Sequence, residues 1–89
     1  MADRIDSAEY VRLSQRIRGA VSWYMGEHGV SRAQLARRMG VTPGRVSQLL
    51  SGDENLTLKT MSTIASCLGA RCEFSLAPID GAGVTRSRA

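Results

Sequence analysis

S-R-A-Q-L-A-R-R-M-G-V-T-P-G-R-V-S-Q-L-L-S-G, from Ser31 to Gly52, holds two short helical patterns that meet at a Gly-Val-Thr turn. In the first pattern Ser31 is placed to cap the helix, Leu35, Ala36 and Met39 form a buried side, and Arg32, Arg37 and Arg38 lie outside. Gly40 ends it, and Val41 can plug the angle to the next helix. Thr42 is then an N-cap and Pro43 a favourable first helical residue, since the N–H it lacks has no partner in a first turn anyway. In the second pattern Val46, Leu49 and Leu50 face inward, Arg45, Gln48 and Ser47 face out or lie at the flank, and Ser51-Gly52 closes the helix.

Charge singles out the same stretch. The chain of 89 residues carries a formal net charge of +4. Before Arg32, four arginines (Arg4, Arg12, Arg16, Arg18) balance Asp3, Asp6, Glu9 and Glu27. After Leu50, Lys59, Arg71, Arg86 and Arg88 balance Asp53, Glu54, Glu73 and Asp80. The whole excess therefore comes from Arg32, Arg37, Arg38 and Arg45. That is the pattern of a surface that meets polyphosphate, although a basic solvated face gives the same count.

Upstream, residues 1–6 read as a loose, flexible start. Asp6-Ser7-Ala8-Glu9 offers an N-cap with a carboxylate three residues on. Tyr10, Leu13, Ile17, Ala20, Val21, Tyr24, Met25 and His28 recur at helical spacing, which predicts one helix to about His28, stopped by Gly29 with Val30 packing back. Gly19 and Gly26 weaken it, and a break near Gly19 would give two shorter helices. Trp23 lies off the apolar face, where it covers a flank of the domain or serves an interface. His28 reads as a structural residue on the core face.

Downstream, Asp53-Glu54-Asn55 is a polar loop and Thr57 an N-cap. Leu58, Met61, Ile64, Ala65 and Leu68 form a helical stripe stopped by Gly69. Residues 71–77 alternate, with Cys72, Phe74 and Leu76 on one side and Arg71, Glu73 and Ser75 on the other, which is strand periodicity ended by Pro78. A lone strand leaves its backbone groups unpaired. Pairing with the same strand of a second copy across a two-fold axis would satisfy it, making Cys72, Phe74 and Leu76 dimer residues; a strand around Arg4-Ile5 is the other candidate partner. Residues 79–89 read as a flexible tail.

The expected fold is mainly α, a four- to five-helix bundle plus one short C-terminal strand, with a single domain over residues 7–78. Size permits a modest core. No stretch is apolar enough to span a bilayer and the first residues hold no signal-peptide run, so a cytoplasmic protein with no membrane partner is expected. Cys67 and Cys72 read as buried free thiols rather than a disulfide or metal site. One histidine, no paired carboxylates, no Cys-His cluster and no phosphate-cradling glycine loop argue against an enzyme; no metal or cofactor is expected.

Leu35-Ala36, Gly40-Val41, Val46-Ser47 and Leu49 resemble, at the same spacing, the helix-turn-helix of the Cro and lambda-repressor class of bacterial and phage regulators, the XRE family. The run L-T-L-K-T-M-S-T-I-A-S-C-L-G resembles that family's next helix, and the likeness extends from about Ile17 to Leu76. It implies a lambda-repressor-like bundle that lays the helix after Thr42 in a major groove of double-stranded DNA. Pro43 and Gly44 depart from the longer polar residues common there. Base reading then falls to Arg45 and Gln48, three apart on one face, with Arg38 as a weaker reader or phosphate contact. Ser31, Arg32, Thr42, Gly44, Ser47, Asn55, Thr57 and Lys59 are the expected phosphate contacts. The arginine and glutamate that several relatives pair between helix one and the recognition helix align with Met25 and Leu50, both apolar here, an exchange that leaves no stranded charge. The resemblance suits a dimeric repressor of a palindromic operator, or an antitoxin that binds a toxin protein and controls its own operon.

Overall fold

The computed structural model describes residues 2–52 and 55–79, with side chains from Ala8 onward. Four helices follow one another: α1 (Ala2–His28), α2 (Arg32–Met39), α3 (Pro43–Ser51) and α4 (Leu58–Cys67). No helix among the described residues is long and apolar enough to cross a membrane.

Each short helix starts on the side chain that the sequence offers for it. Ser31 Oγ accepts the amide of Gln34 at 3.1 Å, and Gln34 Oε1 accepts the amide of Ser31 at 2.8 Å, a reciprocal capping box. Thr42 Oγ1 accepts the amide of Arg45 at 3.1 Å with Pro43 in the first turn, and Thr57 Oγ1 accepts the amide of Thr60 at 3.0 Å. The stops are equally local. Gly40 takes φ 74° and lets the amide of Val41 return to Ala36 O at 3.0 Å, which swings Val41 back onto the core. The amides of Val30 and Ala70 return in the same manner to Met25 O and Ala65 O.

The core is small and drawn from all four helices. Val21, Met25, Leu35, Ala36, Val46, Leu49 and Ile64 are buried together, with Ile17, Val30, Val41, Leu50 and Leu56 packed around them. α2 packs against both α3 and α4, while α1 packs against α3. Met25 is in the core cluster and Leu50 packs against it, and both line one cleft at the α1–α3 joint.

Several expectations are corrected. α1 runs unbroken through Gly19, so the bundle has four helices among the described residues rather than five. It begins at Ala2, taking in the residues expected as a loose start; no proline or glycine interrupts residues 2–18. Its buried arc runs through Ser14, Ile17, Val21 and Met25, turned by about 45° from the apolar stripe at 100° per residue; Leu13 is left exposed. Ser14 is buried because its hydroxyl donates to Val11 O at 3.2 Å and is thereby satisfied. His28 is exposed rather than part of the core: it stacks on Tyr24 with ring centroids 4.0 Å apart, its Nδ1 3.0 Å from Tyr24 O. Leu58 is exposed at the first turn of α4, outside that helix's contact with α2. The two cysteines are free, but Cys67 is half-buried and Cys72 exposed.

The expected strand over residues 71–77 is absent: residues 70–78 have no regular secondary structure. A strand exists only as a ladder, and the region around Arg4-Ile5, which was one candidate partner, is helical. Cys72, Phe74 and Leu76 stand exposed, Phe74 by 80% and Leu76 by 87%. Within the segment Arg71 Nε donates to Glu73 Oε2 at 2.9 Å, two residues on. Of the tail, residues 80–89 lie outside the described residues.

Gly40→Ala is expected to lower stability by about 1–2 kcal/mol in urea unfolding, from backbone strain alone. No atom stands within 4 Å of the added methyl to contribute a clash.

Candidate nucleic-acid interface

α3 is sealed on one side and open on the other. Val46 and Leu49 are 1% and 2% exposed, whereas Gly44, Arg45, Gln48 and Ser51 face solvent. The three-residue step from Arg45 to Gln48 puts both on one face. Arginine matches the O6/N7 edge of guanine and glutamine the N6/N7 edge of adenine, so this face can read bases.

The first turn of α3 offers an anion one accessible donor. Pro43 has no amide, and the amides of Arg45 and Val46 bond to Thr42. That leaves the amide of Gly44, at an exposed residue whose missing Cβ would meet only Thr42 Oγ1, at 3.9 Å. A phosphate oxygen can approach this backbone closely. Thr42 itself is occupied as the cap.

Arg32 and Ser47 come together at the α2–α3 seam, where Arg32 Nη1 donates to Ser47 Oγ at 3.1 Å. Ser31 is committed to its capping box. Asn55 is exposed beside the end of α3, on an open cleft of about 620 Å³ that Tyr10, Arg18, Ser51 and Gly52 also line. Thr57 caps α4, and Lys59 stands exposed on that helix's first turn. Arg38 is engaged at the end of α4: its Nη1 donates to Cys67 O at 3.1 Å, while Cys67 Sγ donates to Arg38 O at 3.4 Å. This reciprocal clasp ties the end of α2 to the end of α4.

Two residues at the edge of α3 escaped the sequence reading. Arg18 Nε donates to Leu49 O at 2.7 Å, and the amide of Leu56 donates to the hydroxyl of Tyr10. Arg18 sits three residues before Val21 on the buried arc of α1, so the signal was a long cation placed among core positions. No group of three or more metal-ligating side chains occurs among the described residues.

A family profile described as helix-turn-helix matches residues 21–74, which covers α2, α3, α4 and the last part of α1. No curated protein and no solved structure gives a significant match.

Gly44→Ala is expected to leave the urea midpoint unchanged or slightly raised while DNA affinity, measured by fluorescence anisotropy, falls several-fold, because the methyl occupies the approach to the Gly44 amide.

Proposed function

Because the chain belongs to the XRE-type helix-turn-helix family of DNA-binding regulators, we propose that it is a dimeric repressor that reads a palindromic operator with Arg45 and Gln48. The observation that carries this is the geometry of α3. Its apolar side is locked into the core, and its open side presents Arg45 and Gln48 with no carboxylate on the helix. Each reader discriminates its base by about 1–3 kcal/mol. Gly44, Arg32, Ser47, Asn55, Thr57 and Lys59 act on phosphates and set register without reading sequence.

Dimerisation is assigned to residues 71–77. Phe74 and Leu76 are largely exposed on a segment whose sequence alternates apolar and polar residues. Pairing of two such segments across a two-fold axis would form a ladder and cover those side chains. Half-sites then lie about 34 Å apart, one turn of DNA.

A second reading has its own observation. Trp23 is 64% exposed on α1, on the side of that helix away from its buried arc at 100° per residue. An exposed tryptophan suits a protein partner, as an antitoxin that binds a toxin and controls its operon would require. A co-transcribed neighbouring gene whose product shifts Trp23 fluorescence on mixing supports that reading; none doing so leaves the repressor.

Selection of bound duplexes from a random pool is expected to return a two-fold symmetric site, and a pool that returns no preferred sequence overturns the proposal. Arg45→Ala and Gln48→Ala are expected to relax preference at particular base pairs. Arg32→Ala and Lys59→Ala are expected to weaken binding to every sequence and flatten its salt dependence. Ending the chain at Ala70 is expected to shift sedimentation toward monomer.

A further inference from the structure

Residues 2–20 of α1 lie outside the family match, yet this extension reaches the end of α3 and the connection to α4. Its contact is made at a place where α3 lacks a partner of its own. The last four carbonyls of a helix have no intrahelical donor. In α3, Gln48 O takes the amide of Gly52 and the hydroxyl of Ser51. Leu49 O takes Arg18 Nε at 2.7 Å, from a residue 31 positions earlier. Leu49 is 2% exposed, and Arg18 is the donor that the structure gives this carbonyl. α3 also has no basic residue in its last turn, and Arg18 supplies the cation that the negative end of the helix favours. The guanidinium lies over Gly52, where a Cβ would stand 3.7 Å from Arg18 Nη1. Beyond the end of α3, the amide of Leu56 is held by Tyr10 of the same part of α1.

We propose that Arg18 is a positioning residue for DNA reading: it fixes the C-terminal end of α3 to α1 and so sets the angle at which Arg45 and Gln48 meet base edges. The inference rests on α3 being the reading helix. Arg18 acts from behind α3, through a backbone carbonyl, rather than by touching DNA. Each reader must align two hydrogen bonds with its base, so a loosened helix loses discrimination before it loses general attraction to phosphate.

The test uses the full chain with two substitutions. Arg18→Met keeps the apolar stem and removes the donors, while Arg18→Lys keeps a donor and the charge. Amide hydrogen exchange of the DNA-free protein is read first. Arg18→Met is expected to lower protection about tenfold at residues 49–52, the scale of one charged hydrogen bond, with protection in α2 and α4 unchanged; Arg18→Lys recovers part of it. Unchanged protection at residues 49–52, or an equal loss in every helix, overturns the brace whether or not the protein reads DNA. Binding to the selected site and to random duplex is then compared at a temperature where both variants are folded. The ratio of the two affinities is expected to fall about tenfold in Arg18→Met, with random-duplex affinity and its salt slope held and Arg18→Lys intermediate. Equal losses on both duplexes with a flatter salt slope make Arg18 a phosphate contact and overturn the proposal, as does an unchanged ratio. A wild-type chain without sequence preference refutes the reading role of α3, and with it this role of Arg18, while the exchange experiment still decides whether the brace itself exists.

Discussion

Helices of eight and nine residues, the lengths of α2 and α3, are too short to hold together in water on their own. Their stability has to come from a shared apolar contact and from paired end groups. Leu35 and Ala36 of α2 meet Val46 and Leu49 of α3 in one buried cluster, closed by Ile64 of α4 and by Val21 and Met25 of α1. The turn between α2 and α3 is therefore constrained from both sides. Gly40 must turn left-handed, Val41 must fold back, and Thr42 must cap, or the two apolar faces do not converge. The open face of α3 follows from this: with Val46 and Leu49 held inward, Arg45 and Gln48 lie on the exposed side of the helix.

Cations and carbonyls give the fold a second regularity. α2 ends on its own Arg37 and Arg38, and α1 on His28. α3 and α4 have no basic residue in their last turns, and each receives one from another helix: Arg18 from α1 for α3, Arg38 from α2 for α4. Such a bond satisfies an end carbonyl, opposes the helix dipole and joins two helices in a single contact. The net charge thus overstates what is available to phosphate. Of the four arginines that make up the net charge, Arg38 serves a helix end and Arg32 is engaged with Ser47 across a seam.

This division explains which parts were legible in the sequence. Caps and stops are short-range, and Ser31, Thr42, Thr57, Gly40 and Gly69 sit where local chemistry placed them. The buried residues of α2 and α3 were legible for the same reason. Contacts between distant positions were not. Arg18 to Leu49 spans 31 residues, and nothing in either neighbourhood names the other. The stripe on α1 was misjudged because a self-satisfied serine, Ser14, can be buried while Leu13 stays exposed, so apolar spacing alone misplaces the arc. The segment 71–77 shows a further limit. Alternation reports that two faces differ, but a ladder needs a second edge that a single chain does not supply.

The departure at Pro43-Gly44 ties these threads together. A recognition helix normally brings several long side chains to the groove from its first turn; here that turn offers an amide and little else. With Arg45 and Gln48 as the proposed readers, discrimination would rest on fewer bonds, each with strict geometry, together with whatever the DNA contributes through its own shape. Fewer readers leave less redundancy against a tilt of the helix, so the accuracy of α3's placement counts for more than in a helix with many contacts. α3 is held at its start by Thr42, along its inner side by the core, and at its far end by Arg18. The first two lie within residues 21–74, which the family profile matches, whereas the third comes from the part of α1 that precedes them. On the proposed role of Arg18, a residue that anchors the end of a sparsely armed helix would restore, by rigidity, part of the specificity that the missing side chains would have supplied.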